Sequence, residues 1–361
     1  MNNRHLSLIS VLLVSVLTAC AASAQPADTL SQQYFNNPAW NPYPAQGTNG
    51  LTGDTCINPV TPAVMLNPEE NNSIFGLVLP PTEQDNDLYL SAMPSGKRSG
   101  VFQKANFNAL WSPKAGGEKG LGMTQLNLSA AFAFPLPSAD SPFIITPSFG
   151  TTFFDPKTDG YMTKKTLYST GLDFRWLKPV IPNKLTLDLG ASAVYNGDFK
   201  VKASKAMRYP ARIAAIWSCN PRLKIVGGIA YLDRSDSYNW FPIAGIIWTP
   251  HDDVSVELVA PRLRIAQRVR WFGSAADDEK QDWLYTALEF GGGTWDIEEH
   301  GYAENVEYRD IRLLLGYERR CAAGFMLGLE LGYMFERKLE REQVYSTHPA
   351  DSVFLRLRTS F

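Results

Sequence analysis

From about Gly100 to the C-terminus, apolar and polar residues alternate with a period of two over long stretches, as strands with two chemically different faces require. The clearest run puts Phe325, Leu327, Leu329, Leu331, Tyr333 and Phe335 on one face and Gly324, Gly328, Glu330, Gly332 and Glu336 on the other. The run before it repeats the scheme, with Ile311, Leu313, Leu315 and Tyr317 opposing Asp310, Arg312, Gly316 and Glu318. Leu185, Leu187, Leu189, Ala191, Ala193 and Tyr195 oppose Lys184, Thr186, Asp188, Gly190 and Ser192 in the same way, and Tyr168, Thr170, Leu172, Phe174 and Trp176 oppose Ser169, Gly171, Asp173 and Arg175. Leu126, Leu128, Ala130, Phe132 and Phe134 make a further apolar face. The pattern predicts fourteen strands, over 101–112, 121–135, 142–155, 164–177, 183–196, 206–218, 222–233, 239–249, 252–260, 263–274, 282–293, 305–318, 323–337 and 352–361. Twelve would result if one weak pair were not real.

Soluble barrels also alternate, but their apolar face points inward and must taper to fill a core. Here the polar face carries glycines and charges of both signs, and the apolar face tends to end in Trp, Tyr or Phe. That fits a barrel that is apolar outside and polar inside, with aromatic girdles. Most runs are about 10–14 residues long, against ~5–6 in globular sheets and ~9–11 for a tilted membrane strand. The predicted fold is therefore all-β, a transmembrane antiparallel up-and-down β-barrel over 101–361. An even strand number suits a single-chain bacterial barrel, and closure leaves no unpaired edge. With the C-terminus in the periplasm, the connections at 319–322, 250–251, 219–221, 178–182 and 136–141 are periplasmic and short. Those at 338–351, 294–304, 234–238, 197–205, 156–163 and 113–120 face outward, and most are longer. The tight Ala260-Pro261-Arg262 turn outside and the 275–281 connection inside depart from this rule.

The N-terminus reads as an export signal over residues 1–24. Arg4 and His5 precede an apolar core from Leu6 to Leu17, and Ala22-Ser23-Ala24 matches a cleavage site that leaves Gln25 first. Leu17-Thr18-Ala19-Cys20 also matches a lipobox, which would put a lipid on Cys20. Ordinary cleavage is preferred, because a barrel seldom needs an acyl anchor. No other stretch has ~18 uninterrupted apolar residues. Residues 25–100 are rich in Pro, Asn, Gly, Gln and Ser and read as an extended arm. The expected location is the bacterial outer membrane, among its lipid and lipopolysaccharide. A formal net charge of -2 gives no sign of a nucleic-acid partner. The sequence leaves the oligomeric state undetermined.

The last strand, Asp351 to Phe361, puts Val353, Leu355, Leu357, Thr359 and Phe361 on one face and ends on Phe. It resembles the terminal strand that outer-membrane proteins present to the barrel assembly machinery, which the resemblance implies as a partner. The segments Phe241-Pro242-Ile243-Ala244-Gly245-Ile246-Ile247-Trp248-Thr249-Pro250 and Leu258-Val259-Ala260-Pro261-Arg262 resemble a family of bacterial outer-membrane barrel proteins of unknown function with members in planctomycete-like bacteria. That resemblance covers roughly Gly100 to Phe361 and implies fold and location, with no catalytic motif.

Candidate chemistry lies on the polar face. Arg264, Arg268 and Arg270 are expected to share the inward face of one strand, as a basic stripe drawing anions into a lumen or as partners of inward carboxylates. The candidate carboxylates are Asp173, Asp188, Glu257, Glu289, Asp310, Glu330 and Glu336. Arg175 and Arg312 join the lumen-lining set with Arg264, Arg268, Arg270, Asp188, Glu257, Glu289, Asp310 and Glu330. No catalytic residue, cofactor or metal is expected. His251, His300 and His348 fall in predicted turns and loops without the His-x-Ser spacing of barrel lipid hydrolases. Cys56, Cys219 and Cys321 lack zinc-ligand spacing. The arm is too short for the plug of a TonB-type transporter, though it could act as a small stopper. Two function classes stay open: a channel or small-solute transporter, and a structural or interaction barrel with a closed, charge-filled lumen.

Overall fold

The computed structural model describes residues 72–74, 77–79 and 101–361, apart from 139–140, 157–165, 234–238, 261, 273–279, 300, 322–324 and 342–344. The expected signal over 1–24, most of the 25–100 arm and His300 lie outside the described residues. Within the arm, Asn72–Ile74 and Leu77–Leu79 form a short antiparallel pair.

Fourteen long strands follow: β1 (Phe102–Ser112), β2 (Leu121–Ser138), β3 (Ser141–Pro156), β4 (Thr166–Ile181), β5 (Leu185–Gly197), β6 (Ala211–Asn220), β7 (Leu223–Tyr231), β8 (Trp240–His251), β9 (Val254–Val259), β10 (Arg262–Phe272), β11 (Lys280–Glu299), β12 (Tyr302–Cys321), β13 (Met326–Arg341) and β14 (Ser352–Ser360). Each pairs antiparallel with its chain neighbour, and β14 pairs with β1, so the sheet closes into a ring. The expected all-β closed barrel of fourteen strands is what the chain forms. Beyond the last strand, Phe361 and Ala105 exchange backbone hydrogen bonds of 2.7 and 3.0 Å.

The two faces are the ones the alternation predicts. Leu315 is 69% exposed and Leu331 62%, whereas Glu318 and Glu330 are fully buried. Exposed Trp217, Trp248, Trp271 and Tyr317 lie toward the end that carries Phe361, and Trp111 and Trp240 toward the opposite mouth. The outside is thus an apolar band between aromatic girdles. Inward glycines make room for large neighbours. A Cβ on Gly316 would sit 2.2 Å from the Tyr285 ring, and one on Gly332 2.4 Å from the Phe354 ring.

Two irregularities overturn the expected parity. On β13 the pairing to β12 shifts register between Arg309 and Ile311, and Glu336 adopts φ 50°. This bulge turns Arg337 and Leu339 inward and leaves Glu336 exposed, not inward as expected. On β10 a shift between Arg268 and Arg270 leaves Arg270 exposed while Arg264 and Arg268 stay buried. One extra residue is enough to exchange the two faces of a strand.

A third departure concerns the expected loop at 294–304. β11 and β12 instead run on, 20 residues each, to a tight connection. Their outer halves bury both faces: Thr294, Trp295, Asp296 and Ile297 in succession, and Asn305, Val306, Glu307 and Tyr308 opposite them.

A charge on the outward band tests the membrane-facing assignment. Leu315→Arg is expected to destabilise the barrel in lipid bilayers by about 2–4 kcal/mol, measured by urea unfolding in vesicles. The same change in a soluble barrel's exposed face would cost within ~0.5 kcal/mol.

Candidate functional site

The polar faces of β10–β14 converge on one ion-pair network. Glu289 of β11 accepts two hydrogen bonds from Arg356 of β14, at 2.7 and 3.0 Å. Arg262 and Arg312 approach the same carboxylate to 3.6 and 3.7 Å. Glu330 of β13 is the second hub. It accepts from Arg356, from Arg358 at 2.8 Å, from Arg262 at 3.3 Å and from the Tyr285 hydroxyl at 2.5 Å. Arg312 forks onto Asp310 at 2.8 and 3.1 Å. All of these side chains are buried. A buried charge is tolerated only when it is paired and its remaining hydrogen-bonding capacity is used, and arginine's planar fork lets one residue serve two carboxylates.

Smaller clusters flank the hub. Arg264 reaches Glu318 at 3.3 Å and Glu257 at 3.7 Å, and its guanidinium lies 4.3 Å above the Tyr285 ring. Across the barrel, Arg175 grips Asp188 at 2.9 and 2.7 Å. There Asp173 accepts from Ser192 at 2.6 Å and Arg212 at 3.3 Å. Between the two charged sides, β6–β9 turn Ile216, Val226, Ile243, Ile247 and Val259 inward as an apolar patch.

The mouth opposite Phe361 is crossed by the outer half of the β11–β12 hairpin. Gly291, Gly292 and Gly293 begin the crossing. Gly292 has φ 131°, and a Cβ there would lie 2.1 Å from the Tyr308 carbonyl oxygen, so no other residue fits. Beyond this point the Trp295 indole N–H donates to Ser169 Oγ of β4 at 3.2 Å. β4 and β11 are seven strands apart either way round the ring, so the bond spans the lumen. The crossing is also fixed by an Asp296–Gly197 backbone bridge to β5 and an Arg208–Asp296 ion pair at 2.5 Å. A further hydrogen bond runs from the Glu298 N–H to Asp198 at 3.2 Å. Phe154 meets the rings of Trp295 and Tyr308 edge-on at 6.0 and 5.4 Å.

Beneath the hairpin is a cavity of about 60 Å³, with Arg262, Arg312 and Arg356 on one side and Asn108, Gln125 and Asn127 on the other.

Of the residues singled out from the sequence, Glu257, Arg264, Glu289, Asp310, Arg312 and Glu330 come together on β9–β13, and Arg175 with Asp188 forms the separate pair on β4 and β5. Arg268 is buried but turns to the other end, where it bonds Asp253 at 2.8 Å and stacks 4.1 Å above Trp271. Arg270 joins none of these. Arg262, Tyr285, Arg356 and Arg358 are central yet were not singled out. Phe354, Arg356 and Arg358 do alternate against Val353, Leu355 and Leu357, which was the available signal. His251 and His348 are exposed and at opposite ends. Among the described residues no group of acidic, His or Cys side chains is arranged to hold a metal.

The sequence matches no protein-family model and no curated protein sequence. Solved structures with similar barrels exist. A NanC porin is 9% identical, with TM-score 0.34, over 71% of this chain and 98% of its own. The TodX monoaromatic hydrocarbon channel, as a deletion mutant, is 8% identical, with TM-score 0.37, over 76% and 92%. A triple mutant of the Rhodopseudomonas blastica porin is 10% identical, with TM-score 0.32, over 73% and 99%. No substrate or role follows from likeness of this size.

The network makes a contrast between two single-charge changes. Glu330→Gln leaves Arg262, Arg356 and Arg358 short of a shared anion and is expected to cost about 3–5 kcal/mol. Arg270→Gln, at an exposed position, should change stability by less than ~0.5 kcal/mol. Denaturant midpoints of the two variants in matched vesicles check the difference.

Proposed function

We propose that the protein is an outer-membrane channel for small polar solutes, held closed in this conformation by the β11–β12 hairpin. The carrying observation is the Trp295–Ser169 contact across the lumen. A ring of fourteen strands lies between eight-stranded barrels, whose wall side chains fill the interior, and the 16–18-stranded porins that leave an aqueous path. Here the mouth is obstructed by a foldable element starting at three glycines, with a polar cavity behind it. Passage then needs the hairpin to swing outward, which breaks its polar bonds to the far wall and its short pairing with the end of β13 over Val306–Arg309, and leaves the rest of the ring paired.

The outer membrane is the location this reading requires, and the export signal over 1–24 supports it. Resemblance to the outer-membrane family with planctomycete-like members supports it too. The strand that ends at Phe361 is the seam that closes the ring against β1, which suits recognition by the barrel assembly machinery. Lipid and lipopolysaccharide would then meet the apolar band.

A closed, structural barrel is the second reading, favoured by the completeness of the Glu289–Glu330 network. Planar-bilayer recording separates the two. The native protein should give small or infrequent conductance steps, and replacing residues 294–307 by a short turn should raise unitary conductance severalfold. If the shortened, correctly folded barrel stays at the membrane-leak baseline, the network itself seals the lumen and the structural reading holds.

A further inference from the structure

The cavity beneath the hairpin has a chemical bias. We propose that it is a binding site for a small oxyanion, a carboxylate or phosphate of about four or five heavy atoms, on the path of the proposed channel. The inference rests on the channel reading for its role, but not for its existence.

Three observations carry it. The first is charge. Around the cavity and its supporting hubs, four guanidinium groups (Arg262, Arg312, Arg356 and Arg358) meet three carboxylates (Glu289, Asp310 and Glu330) among the described residues. The balance is one positive charge. Each carboxylate is already engaged, Glu289 by Arg356 in a two-point bond, Glu330 by four donors and Asp310 by the Arg312 fork. A cation entering here would find the anions occupied and guanidinium groups lining the wall.

The second is donor geometry. Arg312 spends Nε and Nη2 on Asp310 and Gln125, while its Nη1 stands 3.7 Å from the nearest Glu289 oxygen, past hydrogen-bond length. Asn108, which lines the same cavity, is an amide whose buried Oδ1 has no hydrogen-bond partner among the described residues. As an amide it can turn its N–H₂ toward an acceptor instead. An oxyanion accepts from both sides at once, from a guanidinium edge and from amide N–H groups, as charge-assisted recognition of carboxylate and phosphate requires.

The third is size. A volume of about 60 Å³ holds roughly four to six water-sized centres at ~10–15 Å³ each, the bulk of acetate or inorganic phosphate. Trp295 also lines the cavity, so an occupant touches the indole that bridges the lumen. The bound anion and the closed hairpin therefore share one residue.

The test uses the folded full-length protein in detergent, where binding is read without conduction. Tryptophan fluorescence is titrated with sodium acetate and with inorganic phosphate, against choline chloride and glucose as controls, and Trp295→Phe identifies the responding ring. The expected result is a saturable change with acetate, phosphate or both, absent with glucose and in Trp295→Phe. Asn108→Leu removes no bond of the ion-pair network and should weaken binding at least fivefold. Arg312→Lys keeps the charge but loses the fork and should weaken it at least tenfold. Heat-modifiable gel migration confirms that each barrel is folded, and if Arg312→Lys fails to fold, Asn108→Leu alone decides. No saturable anion response, or equal affinity in the native and variant proteins, overturns the site. Anion binding without conductance in the hairpin-shortened barrel would keep the site and remove the channel. Conductance without anion binding would do the reverse.

Discussion

Closure of the strand ring is the constraint on which the rest of this structure depends. In a hydrocarbon medium no backbone N–H or C=O can be left to water, so the sheet must meet itself, and β14 must pair with β1. Closure at fourteen strands then sets a second problem. The circumference is too large for wall side chains of ordinary size to meet in the middle. Two devices fill the space. Arginines, the longest side chains with a rigid terminal fork, reach carboxylates three strands away, as Arg356 does to Glu289 and Arg262 to Glu330. A hairpin folded across the mouth takes up what they do not.

The arginines would be a poor filler on their own, because an unpaired buried charge costs several kcal/mol. Their number therefore dictates the number of inward carboxylates, and the register dictates which pairs form. Glu289 pairs across the sheet with Arg262 on one side and Arg312 on the other. Glu330 lies opposite Arg356, and Gly316, on its other flank, leaves the room that Tyr285 occupies. The glycine beside Tyr285 and the glutamate that accepts its hydroxyl are parts of one solution. Removing either leaves a ring or a charge without a place.

Much of this was legible in the sequence because alternation is a local property. Each strand shows its two faces within ten residues, and an even number of them lets the last pair antiparallel with the first. What was not legible involves residues that are neighbours only across the lumen. Nothing near Trp295 in the chain points to Ser169, and the stretch 294–304 reads as a loop because neither of its faces is apolar enough to face lipid. The parity errors at Arg270 and Glu336 have a different source. A bulge adds one residue without changing the surrounding composition, so the strand reads as unbroken while its faces exchange. Arg356 and Arg358 were hidden by a competing explanation, since the same strand carries the apolar face and terminal Phe of a targeting signal.

The hairpin shows how a closed barrel can keep a movable part. Wall strands cannot move singly, because each is bonded on both edges. The outer halves of β11 and β12 pair with each other to the turn. β12 there retains only a short pairing with the end of β13, over Val306–Arg309. On its other edge, among the described residues, β11 has no continuous partner beyond Glu289, where β10 begins. Among the described residues the pair is held at the far wall by one backbone bridge, one ion pair, an indole hydrogen bond and the Glu298–Asp198 hydrogen bond rather than by a ladder. Gly292 supplies a backbone conformation and a clearance from Tyr308 that no side chain would allow. A bend in a paired ribbon, placed where the pairing with β10 has just ended and only the short β13 pairing remains, is the arrangement in which a swing breaks few bonds and leaves the rest of the ring whole. It also puts the bend directly above Arg262, Arg312 and Arg356, so the charge in the lumen and the position of the hairpin act on the same few ångströms of path.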